Sequence, residues 1–437
     1  PRGGSAKCGG APALVFPAVE RTVPDRMTKK LSLLARRSLD EGGSHLSHMK
    51  LGLFGFGCVG QGLWKVLHET KGVRADIKRI CIKHPDKQRP VPAHFFTTNP
   101  ADILDDPEID VVVELIDDAE AAFEIVSGAL SRGKAVVSAN KKMIAHRLPE
   151  LYALQQKTGA PFLYEGACCA SIPIIRNLEE YYDNDLLTSV EGIFNGTTNV
   201  ILTKIFEENL SFGEALKFAQ ANGFAESDPT LDVEGFDPKF KLCILLLHAF
   251  GVFVQPEKVL HFGIHRLNDF DIEFARSRGS VLKLVARCFR ENDKVAAYCL
   301  PRFVPKNHRY EGVKNEYNAV TLESAFSERQ VFVGKGAGDK PTGCAVLSDI
   351  SALRYQYKYE YRKFGQNGTF FDTKGTELTV YVRHEHEGQV TESDFSEISE
   401  RYVSAQARYW IGKIQLEKLQ SAAWLHEPGV NVVDCSG

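Results

Sequence analysis

Asp237 and Lys241 stand four residues apart in Asp228-Pro-Thr-Leu-Asp-Val-Glu-Gly-Phe-Asp237-Pro-Lys-Phe-Lys241. A carboxylate one helical turn from an ammonium is a pair that can move a proton. Pro238 suits the first turn of a helix, where its missing N–H costs nothing. The sequence therefore predicts a helix opening at Pro238, with Asp237 as its N-cap and Lys241 one turn on along the same face. The positive end of a helix dipole disfavours a nearby ammonium, which suits Lys241 to acid/base exchange. The plain alternative is a simple Asp-Pro helix start with a solvated lysine, because a cap and a surface charge are common features.

Elements able to carry such a pair appear from Met49-Lys-Leu-Gly-Leu-Phe onward, where apolar runs alternate with helical patterns. Strands are expected at Leu51–Phe54, Ile77–Ile82, Val111–Leu115, Ala135–Ser138 and Phe162–Tyr164, with helices such as Ala119–Ser131 and Lys142–Gln156 between them. That alternation predicts an α/β fold with a parallel sheet over residues 49–185. From Leu187 the character changes to an α+β domain over 186–334. It has a strand at Ser189–Phe194 and helices around Val200–Glu208, Phe212–Asn222 and Pro238–Val252. Val281–Arg290 and Val295–Leu300 flank Glu-Asn-Asp-Lys as a hairpin, and strands follow at Tyr317–Glu323 and Gln330–Val333. A helix from about Pro341 to Phe364 is expected to complete the first domain over 335–364. Residues 375–437 read as strand Glu377–Arg383, helix Asp394–Arg401 and strands Arg408–Gln415 and Val430–Val433, an order resembling a small ACT-like βαβ regulatory module or, equally, a plain extra βαβ used for oligomer contact. Residues 1–48, rich in Gly, Pro, Ser and Arg and without periodicity, read as a disordered extension.

Composition narrows the functions. Hydrophobic residues make up 43% and charged residues 25%, as in an ordinary globular protein. A net charge of −3 gives no electrostatic case for nucleic acid or an anionic membrane. The best apolar run, Leu242–Val254, is broken by His248 and Gly251 and falls short of the roughly 20 residues a membrane helix needs. The ten cysteines are scattered, with no CxxC pair and no zinc-like spacing. They read as small buried hydrophobes in a reducing compartment, with the cytoplasm as the expected address.

Gly55-Phe56-Gly57-Cys58-Val59-Gly60 follows an apolar run and precedes a helical pattern, the setting in which G-x-G-x-x-G binds a dinucleotide. Gly55 allows the tight turn, Gly57 the approach of a pyrophosphate and Gly60 close helix–strand packing, so a Rossmann-type domain is expected. The second strand runs into Lys83-His84, where an NAD enzyme would place an acid for the ribose hydroxyl. Lys83, with His84 and Lys87 or Arg89, can instead take a 2′-phosphate, which favours NADP(H) over NAD(H).

Over about residues 49–360 the chain resembles the homoserine dehydrogenase family. The blocks that carry the resemblance are the glycine loop, Ser138-Ala-Asn-Lys141-Lys142, Tyr164-Glu165-Gly-Ala-Cys-Cys-Ala-Ser-Ile-Pro173, Asn195-Gly-Thr-Thr-Asn199, Glu226-Ser-Asp-Pro running to Lys241, and Gly334-Lys-Gly-Ala-Gly338. The resemblance implies an oxidoreductase acting on a CH–OH group, interconverting L-homoserine and L-aspartate 4-semialdehyde in threonine, methionine and isoleucine biosynthesis. It implies Lys241 as acid/base, Asp237 as its partner carboxylate and Lys141 near substrate and nicotinamide. Glu226 would hold the substrate ammonium and Asp232 would share that work, while Gly338 would lie close to the cofactor. Glu165, Cys168, Ala170 and Ile172 would bind a monovalent cation, Na+ or K+, largely through carbonyl oxygens. The expected partner is a small amino-acid substrate, in a homodimer or homotetramer. The Asn195 block reads as a pocket wall.

The chain departs from the family in places. Asp117-Asp118-Ala119 stands where the family often has glycines and a threonine against the cofactor, and Leu231 stands where many members place an acid. Cys168-Cys169 replaces the commoner Val-Gly. Two other readings compete. A cysteine-based semialdehyde dehydrogenase would use Cys168 or Cys169, but no His lies in that block to activate a thiol. A catalytically dead nucleotide or amino-acid sensor would have no need of Lys141, Glu226, Asp237 and Lys241 together.

Overall fold

The computed structural model describes residues 48–184, 186–365, 368–405 and 407–436. The extension expected over residues 1–48 lies outside the described residues, apart from His48.

Six parallel strands form the first sheet: β1 (Met49–Phe54), β2 (Ala75–Cys81), β3 (Phe96–Thr97), β4 (Val111–Glu114), β5 (Ala135–Ser138) and β6 (Phe162–Leu163), in the order β3-β2-β1-β4-β5-β6. β4, Val-Val-Val-Glu, is wholly buried, as a strand covered on both faces must be. The order reverses between β1 and β4, which opens a crevice beyond their C-terminal ends, the place where α/β sheets bind ligands. Gly55–Gly60 leaves β1 at that edge, and Asn140–Lys141 leaves β5 at the same edge.

The second sheet is mixed. It comprises β7 (Leu187–Ile193), β8 (Leu260–His261), β9 (Ser280–Glu291), β10 (Lys294–Pro305), β11 (Tyr317–Ser324), β12 (Glu328–Lys335), β13 (Phe370–Phe371), β14 (Glu377–His384), β15 (Phe395–Val403), β16 (Arg408–Gln415) and β17 (Asn431–Asp434). The main path runs β12-β11-β7-β9-β10-β17-β14-β16-β15. The expected hairpin is β9–β10, in register from Lys294↔Glu291 to Pro305↔Ser280 and turning at Asn292 with φ 57°. β7 runs out through Phe194 and Asn195 into the start of the helix Gly196–Glu208.

Three local expectations are corrected. The return helix spans Asp339–Leu353 and stops well before Phe364. Beyond it, Tyr359 and Tyr361 are buried at alternate positions of a non-helical stretch. Residues expected as the helix Asp394–Arg401 form the edge strand β15. The C-terminal strands therefore make an antiparallel set, β17-β14-β16-β15, with no helix between β14 and β16 other than the 3-10 turn Glu392–Asp394. This set joins β10 through the pair Arg302↔Asp434 and packs one core of Leu260, Tyr298, Leu300, Val380, Ile414 and Trp424.

The helix Asp339–Leu353 does return to the first sheet, where it lies against the helix Cys58–Glu69. A Cβ on Gly62 would fall 1.9 Å from the Asp339 carbonyl oxygen, so only glycine permits this approach. Lys65 Nζ closes it with an ion pair to Asp339 Oδ2 at 2.8 Å. Among the described residues no helix is long and apolar enough to cross a membrane.

Candidate active site

The third correction concerns the helix that carries the proton pair. It spans Phe236–Phe250, and its N-cap is Gly235 at φ 88°, a left-handed conformation that glycine adopts without strain. Asp237 is therefore not the cap but the second residue inside the helix, and Pro238 follows it. The four-residue spacing still places the two side chains together. Lys241 Nζ donates to Asp237 Oδ2 at 2.8 Å and to the Phe194 carbonyl at 2.8 Å. Both residues are buried, in a helix buried from Asp237 to Phe250.

Lys141 comes from the opposite sheet. Asn140 caps the helix Lys141–Thr158, its Oδ1 accepting from Met143 N at 2.9 Å and its Nδ2 donating to the Ile116 carbonyl at 3.0 Å. This ties the helix start to the end of β4 and aims Lys141 Nζ at Asp237 Oδ1, 2.9 Å away. The Lys141 side chain is 40% exposed along its length, against 9% for Lys241.

Asn195 completes the cluster. Its Nδ2 donates to Asp232 Oδ1 at 2.6 Å and to Asp237 Oδ2 at 2.8 Å. Its Oδ1 accepts from Thr198 N at 2.8 Å and so caps the helix Gly196–Glu208. The sequence alone places Asn195 in a pocket wall, without these partners. An Asn at the end of a strand, before Gly-Thr-Thr, is an N-cap signal that could have placed it.

The electrostatics follow from this geometry. Burial opposes the charge of Asp237, yet Lys141 and then Lys241 hold its carboxyl well below the usual carboxylate range. Asp237 in turn raises Lys141, against the effect of burial. Burial and the neighbouring Asp237 charge raise Asp232. The cluster thus pairs one firmly ionised carboxylate with two ammonium groups, and a second carboxylate beside them ionises less readily.

Glu226 is exposed, and its carboxylate makes no hydrogen bond or ion pair among the described residues; Gln220 Nε2 holds its backbone carbonyl at 3.1 Å. Asp118 caps the helix Ala119–Ser131 through Glu120 N and Ala121 N, so one of the two unusual carboxylates is occupied in structure. Glu114, at the end of β4, is fully buried and accepts from Ser138 Oγ at 2.5 Å and Ile116 N at 2.7 Å; burial pushes it up to about 7.

At the glycine loop the helix Cys58–Glu69 begins at Gly57 with no side-chain cap and no acid in its first turn, and a Cβ on Gly57 would meet open space. Gly338, at φ 121°, likewise opens the helix Asp339–Leu353 without a side-chain cap. Two uncapped helix N-termini beside one glycine turn suit the phosphates of a dinucleotide. Lys83 and His84 are exposed beyond β2. Arg89 folds over that loop, donating to the carbonyls of His84 at 2.8 Å and Lys87 at 2.6 Å.

The segment Glu165–Ile172 is stitched to the end of β12, where the Lys335 carbonyl accepts from Ser171 N and Ser171 Oγ. Cys169 and Ala170 are both left-handed, at φ 54° and 43°. The Glu165 carboxylate is committed to Ile175 N and Arg176 N, each at 2.9 Å. The carbonyls of Cys168 and Ala170 accept no hydrogen bond among the described residues. No cluster of three or more His, Cys, Asp or Glu there is placed to hold a metal, so a cation in this loop would rest on carbonyls. Burial raises the Cys168 thiol well above its usual value and pushes Cys169 up to about 12. A thiol without a base and without solvent makes a poor nucleophile, which removes support from the cysteine-based reading.

A glycine-loop α/β domain opening onto a lysine–carboxylate cleft defines a nicotinamide-dependent oxidoreductase. Family models match in the same two places: the NAD-binding domain of homoserine dehydrogenase over residues 55–165 and the homoserine dehydrogenase domain over 173–351. The homoserine dehydrogenase of Bacillus subtilis is 38% identical over 314 residues, covering 70% of this chain and 72% of that protein. That of Lactococcus lactis is 37% identical over 313 residues, covering 69% and 73%. A crystal structure of a homoserine dehydrogenase from Thiobacillus denitrificans superposes with a TM-score of 0.77 at 28% identity, covering 89% of this chain and 98% of that one. A hyperthermophilic archaeal homoserine dehydrogenase mutant in complex with NADPH shares the fold at a TM-score of 0.61 and 23% identity, covering 72% and 99%. The chain belongs to the homoserine dehydrogenase family.

Proposed function

We propose that this enzyme interconverts L-homoserine and L-aspartate 4-semialdehyde with NADP(H) in preference to NAD(H), and that Lys241 exchanges the proton. The observation that carries the reading is Asp237 held between Lys241 and Lys141 at 2.8 and 2.9 Å, next to the crevice of the first sheet. A bound nicotinamide supplies or accepts the hydride. Reduction of the aldehyde leaves charge on its oxygen; Lys241 Nζ gives that oxygen a proton and Lys141 offsets the developing charge. In the oxidative direction Lys241 removes the same proton. Asp237 keeps both nitrogens in place throughout, because its own ionisation is the most secure in the cluster.

The uncommitted, exposed carboxylate of Glu226 suits the substrate ammonium, and Asp232, bound to Asn195 Nδ2 within the cluster, would share that work. The turn Gly55–Gly60 and Gly338 would cradle the pyrophosphate, with Lys83 at the 2′-phosphate. The carbonyls of Cys168 and Ala170, free of hydrogen bonds among the described residues, would take Na+ or K+ together with those of Glu165 and Ile172, which also accept from Cys168 N and Ile174 N. The exposed side chains of Val331 and Val333 on the outer strand β12 support assembly into a homodimer or homotetramer. The same reading places the enzyme in threonine, methionine and isoleucine biosynthesis in the cytoplasm.

The test is the absorbance of reduced nicotinamide with homoserine and NADP+, then NAD+. Turnover with NADP+ ahead of NAD+ is expected. Lys241→Ala should lower kcat by about 10²–10⁴ with little change in cofactor affinity. Near-normal turnover in that variant contradicts the assigned role.

A further inference from the structure

We infer that Asn195 is a positioning residue for the proton-transfer pair, acting through its amide on Asp237 and Asp232 and not merely as a helix cap. The inference rests on the assignment of Lys241 and Asp237 made above. An amide has one acceptor end and one two-proton donor end. Here the acceptor end is taken by Thr198 N at 2.8 Å, which fixes the side chain against rotation. The donor end must then face the two carboxylates, and both of its protons are used, one on Asp232 Oδ1 and one on Asp237 Oδ2.

Two consequences follow. Asp232 and Asp237 are drawn to one neutral donor, which lets two carboxylates stand together in a buried site. Asp237 Oδ2 is also pinned from a second direction, so its bond to Lys241 cannot swing away when Lys141 is drawn toward substrate. The residue before Asn195 contributes as well, because the Phe194 carbonyl is the other acceptor for Lys241 Nζ. The end of β7 thus holds both the lysine and the carboxylate, and the cap bond orients the amide that does the second part.

The cap and the positioning role separate by substitution. Asn195→Asp and Asn195→Ser each keep an oxygen for Thr198 N, since Asp and Ser are good N-caps. Neither can donate to both carboxylates. Steady-state kinetics on the full-length enzyme should show kcat reduced about tenfold to a hundredfold in Asn195→Ser and at least as far in Asn195→Asp. KM for the dinucleotide should stay within about twofold, and the melting temperature should stay within about 4 °C of the parent. Wild-type kcat in both variants overturns the inference, and so does a loss of kcat that only follows a matching fall in melting temperature in both. Lys241→Ala, assayed in parallel, tells the two failures apart. If it is inactive while both Asn195 variants are normal, the lysine reading stands and the Asn195 role falls. If it is itself active, the lysine reading has failed.

Discussion

Two buried charge clusters in this molecule are built from similar parts and do opposite things. In the cleft, Asp237 and Asp232 meet Lys141 and Lys241. In the second sheet, Glu191 of β7 and Asp434 of β17 meet Arg302 of β10, whose Nε lies 2.8 Å from Asp434 Oδ2 and whose guanidinium reaches Glu191 Oε2 at 3.1 Å. Arg309 pairs with the other Glu191 oxygen, and Arg287 Nε stands 3.6 Å from Glu191 Oε2. The sheet cluster uses arginine, which keeps its proton and offers a planar fork; the cleft uses lysine, which can release one. The Arg302 side chain is 3% exposed and that of Lys141 40%. On the proposed function, the cation type is what separates a structural knot from a reactive site. The knot also joins the C-terminal strands to β7, the strand that supplies Phe194 and Asn195 to the cleft.

The comparison can be broken by exchanging the cations. Lys241→Arg keeps the positive charge beside Asp237 but not a proton that can be released, so kcat should fall by about 10²–10⁴, much as in Lys241→Ala. Retained turnover would show that charge alone suffices in the cleft. Arg302→Ala leaves two buried carboxylates short of a partner and should cost about 3–5 kcal/mol of stability, read from denaturant midpoints. A neutral result would remove the knot from the account of how the tail is attached.

The smallest effect concerns pH. Burial opposes ionisation of Glu191, but Arg302, Arg287 and Arg309 hold it below its usual value. A depressed carboxyl stabilises the fold above its unfolded value near 4.5, and that contribution fades as pH falls through the folded value. Glu191→Gln should therefore be less stable than the parent by about 2 kcal/mol at neutral pH. The gap should narrow below about pH 4.5, which urea midpoints across pH would show. A gap constant with pH would mean that Glu191 contributes by shape and not by charge.

Much of the cleft was legible because its chemistry is local. Asp237 and Lys241 lie on one helix, and the glycine loop announces its strand and helix. What escaped depends on contacts made at a distance. The helix start was misjudged because Asp-Pro is a strong cap signal, while the left-handed turn that Gly235 makes against the preceding turn Thr230–Val233 has no sequence marker beyond the glycine itself. Asn195 was undervalued because its two acceptors lie 37 and 42 residues away in sequence. The error over Asp394–Arg401 is instructive. Phe395 and Ile398 are three apart, a helical spacing, yet they share one face of a strand. The pairing of β15 with β16 shifts between Phe395 and Glu397, so Phe395 stands opposite Ile414 and Ile398 opposite Gly412. The extra residue of that bulge converts a spacing of three into a same-face pair.

The contact of Gly62 with Asp339 sets a timetable for the nucleotide cradle. Among the described residues its glycine turn is made early, but the neighbouring N-terminus at Gly338 emerges only after β12 has been made. A chain released before residue 339 would carry an intact fingerprint and half a cradle. On the proposed function, proteolysis between β12 and Leu353 would disarm coenzyme capture while leaving Lys141, Asp232, Asp237 and Lys241 uncut.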